Sequence, residues 1–162
     1  MSFQSFSGII TMISDFSVGQ NNGSAGCYSL ISVDNGYGNT ANFVVSPTTY
    51  FVDHAMVVVG DRVTGFYDAD APVPLIFPPQ YRAVVMTKDN PYQNVTVDYF
   101  NRQFVSSDGS LQLNIAPNTP ILLENGQAFR GNPARRNLIV VYGATTRSIP
   151  AQTTPYKIIV MC

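Results

Sequence analysis

The stretch YSLISVDNGYGNTANFVV, residues 28–45, decides the fold class. Tyr28–Val33 and Ala41–Val45 are short runs rich in β-branched and aromatic residues, and Asp34-Asn35-Gly36 lies between them. Asn-Gly supplies the positive φ angles of a type I′ turn, so the stretch reads as a β-hairpin. The same punctuation continues on both sides. Gly8–Ile13 is a strand candidate, followed by a polar loop at Ser17–Gly26 that contains Asn21-Asn22-Gly23. Thr49–Val52, Met56–Val59, Arg62–Tyr67 and Arg82–Thr87 follow, the last two separated by a proline-rich passage from Ala71 to Gln80. Beyond Lys88-Asp89-Asn90-Pro91 come Val95–Phe100, Phe104–Ser106, Leu111–Ile115, Ile121–Leu123, Leu138–Tyr142 and Lys157–Met161. A turn at Asp108-Gly109 and a turn-rich insertion at Asn125–Asn132 interrupt them. No segment of helical length carries a 3.6-residue apolar period.

Composition points the same way. The 162 residues include 18 Val, 11 Ile, 12 Thr, 9 Tyr and 10 Phe, against one Glu (Glu124) and two Lys (Lys88, Lys157). Surface helices draw on Glu and Lys, and sheets on β-branched and aromatic residues, so the chain reads as all-β. Charged residues make up 12% of the sequence and hydrophobic ones 45%, the reverse of the disorder signature. No apolar run approaches the ~18 residues of a membrane-spanning helix. A sequence pI near 5.6 argues against a dedicated nucleic-acid binder. Met1–Ile13 contains no Lys or Arg, and the first basic residue is Arg62. No Sec-type leader is therefore expected, only cytoplasmic synthesis with release or non-classical export left open.

The two halves resemble each other. Residues 63–86 laid on 138–161, an offset of 75, give five identities in 24 positions: Tyr67 on Tyr142, Ala69 on Ala144, Tyr81 on Tyr156, Val85 on Val160 and Met86 on Met161. Upstream the offset is 70, with Ser46-Pro47-Thr48-Thr49 on Ala116-Pro117-Asn118-Thr119 and Phe43 on Leu113. An internal duplication is expected, with repeats at 1–88 and 92–162. Five or six short antiparallel strands per repeat suit a small closed barrel, because closure removes exposed edges. Gly60-Asp61-Arg62-Val63 resembles the Gly-Asp-x-Val turn of OB-folds, and the resemblance implies OB-like repeats. A single β-sandwich or jelly roll built from both repeats is the rival.

Candidate chemistry is sparse. A nucleophilic triad needs a histidine base, and the one histidine, His54, lies between two apolar runs, where a structural role explains it. Asp68 and Asp70 alternate after a strand and are the candidate carboxylate pair of a hydrolase, although a solvated turn accounts for them. With no Cys-x-x-Cys and no histidine pair, structural zinc is not expected. Asp34–Asn39 lacks the glycine position and closing Glu of a calcium loop, which leaves only a weak cation reading for Asp61, Asp68 and Asp70. No glycine-rich phosphate loop precedes a helix, and Asn94-Val95-Thr96 fits the glycosylation triplet without a leader to support it. No catalytic residue, metal or cofactor is expected.

Two features remain. Aromatics lie beside arginines, and Tyr67, Tyr81, Arg82, Tyr99, Arg102, Tyr142 and Tyr156 are the candidate stacking face for a ligand. Cys27 and Cys162 are too few for a disulfide framework and are candidates for an intermolecular cross-link. Charge is also sorted by sign. Residues 1–90 hold seven acids and three bases, a net of −4, and residues 91–162 hold three acids and six bases, a net of +3. Complementary halves favour heterologous head-to-tail association, which propagates into rings or filaments. The expected function is a non-enzymatic structural subunit whose partner is itself; the alternative is an OB-like module binding oligonucleotide or oligosaccharide.

Overall fold

A computed structural model of the chain describes residues 1–17, 23 and 25–162. Most of the polar loop expected at Ser17–Gly26, with Asn21 and Asn22, lies outside the described residues. Strand is the dominant element, and the one helical element bounded among the described residues is a single 3-10 turn at Val52–His54. The chain is all-β. It divides into two units, Met1–Asp89 and Asn90–Cys162.

The first unit is built on β1 (Phe3–Asp15), β2 (Ser29–Asp34), β3 (Thr40–Val45), β4 (Tyr50–Phe51), β5 (Arg62–Asp68), β6 (Gln80–Arg82) and β7 (Val85–Lys88), arranged in one sheet in the order β4-β7-β5-β1-β2-β3-β6. β1 pairs with β5 over Phe3–Ile9 and with β2 over Ile9–Asp15, and its register shifts between Ile10 and Met12. Such a bulge bends a long strand so that its two ends serve different neighbours. Gly8 belongs to this crossing, because a Cβ there would run into the backbone of Asp34. The central hairpin forms between β2 and β3, with Asp34 opposite Thr40. Its connection is the five residues 35–39 rather than a two-residue type I′ turn. Gly36 and Gly38 take positive φ, and the Asn35 side chain accepts from the N–H groups of Tyr37 and Asn39.

Two other expected strands differ. Met56–Val59 is not a strand: Val57 packs on the core while Met56, Val58 and Val59 are exposed. Arg82–Thr87 is broken into β6 and β7 at Ala83-Val84, where the N–H of Ala83 donates to Val44 and that of Val84 to Phe66. The segment thus leaves the β3 edge of the sheet and joins the β5 edge. β3–β6 and β4–β7 are parallel pairs at the two ends of the sheet. The closed antiparallel barrel expected for each repeat is not formed. The bend diverts the closing strand, and no ladder links β4 to β6.

The second unit contains β8 (Asn94–Phe100), β9 (Leu111–Leu113), β10 (Ile121–Leu123), β11 (Arg136–Tyr142), β12 (Ala151–Thr153) and β13 (Lys157–Val160). Four strands lie in the order β10-β13-β11-β8, and β12 pairs with β9 in a separate two-stranded sheet. Phe104–Ser106 makes only isolated bridges, from Ser106 to Phe100 and from Val105 to Gln112. β10–β13 and β9–β12 are parallel, as β4–β7 and β3–β6 are in the first unit.

Each unit has its own core. Ile10, Ile31, Val33, Ala41, Phe43, Val63, Ala83 and Met86 form the first. Phe100, Leu111, Leu113, Leu138, Val140, Ile158 and Val160 form the second. In β5 the inward residues Val63 and Gly65 alternate with outward Arg62 and Thr64, and Gly65 leaves the space that the Phe43 ring fills.

Candidate functional site

The candidate stacking face is not one surface. Tyr67 at the end of β5 and Tyr81 on β6 stack face to face, with centroids 3.8 Å apart and planes 6° from parallel. Both tilt against the buried Phe43 ring at 6.4 and 6.0 Å. Burial pushes the Tyr67 phenol up to about 12, and its hydrogen bond to Tyr81 and the Tyr81 charge act in the same direction. Each ring gives one face to the other, and both pack partly buried against the first core. Arg82 is exposed beside it on β6.

In the second unit Tyr142 packs on the core, and its phenol is raised by burial first and by the Asp108 carboxylate second. Tyr99 is exposed on β8, opposite Asn137 on β11. Arg102 is exposed in the turn after Asn101, whose carboxamide accepts from the N–H groups of Gln103 and Val105. Tyr156 lies with its hydroxyl over Gly143, a position where a Cβ would collide with it. Tyr67, Tyr81 and Arg82 are therefore brought together, while Tyr99 and Arg102 share only a strand end. Cys27 and Cys162 are free and exposed; the Cys27 thiol lies 3.8 Å from the Gly23 carbonyl.

The carboxylates considered for chemistry serve the backbone. Asp68 Oδ1 accepts from the N–H groups of Ser2 and Asp70, and Asp70 Oδ2 lies 3.7 Å from the N-terminal amine. Asp61 Oδ2 accepts from the Val58 N–H and pairs with Lys88 at 3.6 Å. His54 is exposed at positive φ in the Val52–His54 turn. Asp108 Oδ1 collects the hydroxyls of Ser106 and Ser110 and the Ser110 N–H at 2.6–3.0 Å, and the Ser106 bond leads in holding its carboxyl below the ordinary range. Among the described residues no group of three or more His, Cys, Asp or Glu is placed to hold a metal ion. No helix among them is long and apolar enough to cross a membrane.

The most conspicuous surface feature is one that residue-type reasoning passed over. In Ala71–Pro79 every residue is alanine, proline or a large apolar, and Val73, Leu75, Ile76 and Phe77 stand out in solvent, Leu75 fully and Phe77 at 90%. In the second unit Ile149, in the loop between β11 and β12, is 96% exposed. Both tips directly precede a cis-proline, Pro78 and Pro150. The signal was legible as nine consecutive residues without a polar side chain between two acidic residues and Gln80.

Compared with protein-family models, with curated proteins and with solved structures, the chain matches none.

Proposed function

We propose that the chain is a non-enzymatic structural subunit, made of two related β repeats, that self-associates head to tail. The duplication is supported by hydrogen-bond registers rather than by identities. Ser46 N–H donates to Thr49 Oγ1 at 3.0 Å, and Ala116 N–H to Thr119 Oγ1 at 3.0 Å, an offset of 70. The N–H of Val84 reaches Phe66 at 2.8 Å, as that of Tyr156 reaches Val141 at 2.8 Å, and Asp89 reaches Arg62 as Met161 reaches Asn137. These pairs keep an offset of 75 for β5 on β11 but require 72 for the closing strands. The matches of Tyr81 with Tyr156, Val85 with Val160 and Met86 with Met161 at offset 75 therefore join residues of different register. At offset 72 Met86 falls on Ile158, both in their cores.

The observation that carries self-association is the sorting of charge, −4 over residues 1–90 and +3 over 91–162. Related repeats of opposite sign attract between molecules, and a heterologous contact leaves one unit of each end molecule free to bind again. Light scattering across protein concentration and salt tests it. Association that grows with concentration and weakens between low and ~0.5 M salt is expected; a monodisperse 17.7 kDa species at all conditions, or a dimer that never extends, refutes it.

A further inference from the structure

The geometry points to the Ala71–Pro79 loop as the element that docks on a second copy of this chain, against the Arg147–Pro150 loop of that copy; this rests on the self-association reading above. Leu75, Ile76 and Phe77 form an exposed apolar tip. Four of the nine residues are prolines and carry no N–H, so burying the loop in a protein contact leaves few donors without partners. Prolines also restrict the free loop, so less conformational entropy is lost on docking.

Charge selects the partner. Asp68 and Asp70 precede the tip, with the N-terminal amine 3.7 Å from Asp70, and no Lys or Arg lies between them and Arg82. Anionic lipid surfaces attract basic flanks and repel acidic ones. A cationic protein partner fits instead: residues 91–162 carry a net +3, and among them exposed Ile149 lies two residues from exposed Arg147. Apolar tip on apolar tip, with Asp70 facing Arg147, gives a contact in which two different surfaces meet. Such a contact is heterologous and propagates.

The test uses the full chain and three variants in sedimentation velocity over a concentration series: Leu75→Ser with Phe77→Ser, Ile149→Ser, and Met56→Ser. The substituted side chains are exposed, and Met56 is a comparably exposed methionine elsewhere in the first unit. The docking pair predicts at least tenfold weaker association for the first two variants and wild-type behaviour for Met56→Ser. It further predicts that the loop variant mixed with Ile149→Ser yields one-to-one dimers that do not grow, because each mixture retains a single intact interface. Wild-type assemblies unaffected by the loop variant overturn the docking loop while leaving self-association standing. A failure of the mixture to dimerise overturns the pairing with Arg147–Pro150, and equal weakening by Met56→Ser shows unspecific apolar contact and overturns it too. A wild-type chain that stays monomeric refutes both readings. If that monomer floats with phosphatidylcholine vesicles and the loop variant does not, the loop is a lipid contact and the inference is overturned.

Discussion

On the proposed duplication, Gly65 and Phe43 of the first unit correspond to Val140 and Leu113 of the second, by the offsets of 75 and 70 that match the hydrogen bonds. In the first unit a large ring fills the space over a glycine, and in the second the corresponding positions carry two mid-sized core side chains. Transplanting the second solution into the first tests whether the equivalence is physical. A Cβ on Gly65 would meet three Phe43 ring atoms at 2.6–2.8 Å, and the ring is pinned by Tyr67 and Tyr81. Gly65→Val therefore overpacks a rigid site and should cost about 1–3 kcal/mol or somewhat more. Phe43→Leu leaves a void over Gly65 and should cost about 1–2 kcal/mol. The double variant places the valine methyls in that void, so its loss should fall below the sum by about 1–3 kcal/mol of favourable coupling. Urea titration followed by near-ultraviolet circular dichroism of the Tyr67–Tyr81 stack reads the first unit directly. Additive losses, within about 0.5 kcal/mol, would refute the packing equivalence.

Three further predictions follow from single residues. Tyr67 has a folded-state pKa of about 12, above its ordinary value of 10.0. Its contribution is thus complete below pH 10 and lost as pH rises through 12, and Tyr67→Phe should remove amplitude from the high-pH end of a tyrosinate absorbance titration; loss of amplitude near pH 10 instead contradicts the stack. Asp108 is held low by its serine bonds, so its contribution is present above the ordinary aspartate range and lost as pH falls through the lowered value. Asp108→Asn should flatten the acid limb of second-unit stability, and an unaltered limb in urea titrations from neutral pH downward would dismiss the cluster as a stabilising one. Gly8→Ala places a methyl against Asp34 backbone that cannot move without breaking the β1–β2 ladder. Hydrogen exchange should show lost protection in Ile10–Asp15, with a fall in stability of a few kcal/mol; protection equal to wild type would mean β1 has room to shift.

Strand existence was readable because alternation and turn residues act locally. Val95–Phe100 and Leu138–Tyr142 are found within a residue or two of their expected ends, as β8 and β11. What alternation cannot encode is the partner. Arg82–Thr87 looks like one strand, yet its residues are claimed by two edges, and the competition is settled at Ala83-Val84 by acceptors on Val44 and Phe66 that lie far away in sequence. Met56–Val59 has ideal β-branched composition, but with Gly60 at positive φ and Asp61 accepting from Val58 the segment is tied into a turn. The stacking-face residues suffered from the same blindness. Tyr67 and Tyr81 have the composition of a ligand platform, and only the tertiary placement of β6 beside β3 turns their faces onto each other.

If the two units are repeats as proposed, the registers place their closing strands at an offset of 72, where identities alone suggest 75. On the proposed duplication, Gly65 and Phe43, which meet in the first core, correspond to Val140 and Leu113 in the second, a change of both members together. Backbone hydrogen bonds survive any side-chain exchange except proline. The Thr49 and Thr119 side-chain bonds survive because they close the turn at Ser46 and Ala116, with no core neighbour needed. A duplication followed by divergence of charge would then keep the ladders, rewrite the cores in compensating pairs, and leave the surface as the place where the units differ most in sign. On the proposed duplication, the tip with the acidic flank, Leu75–Phe77, and the tip with the basic flank, at Ile149, lie at corresponding positions of the two units, at an offset of 72. Exposed apolar tips on units of opposite net charge are what a contact between successive copies of a single chain needs.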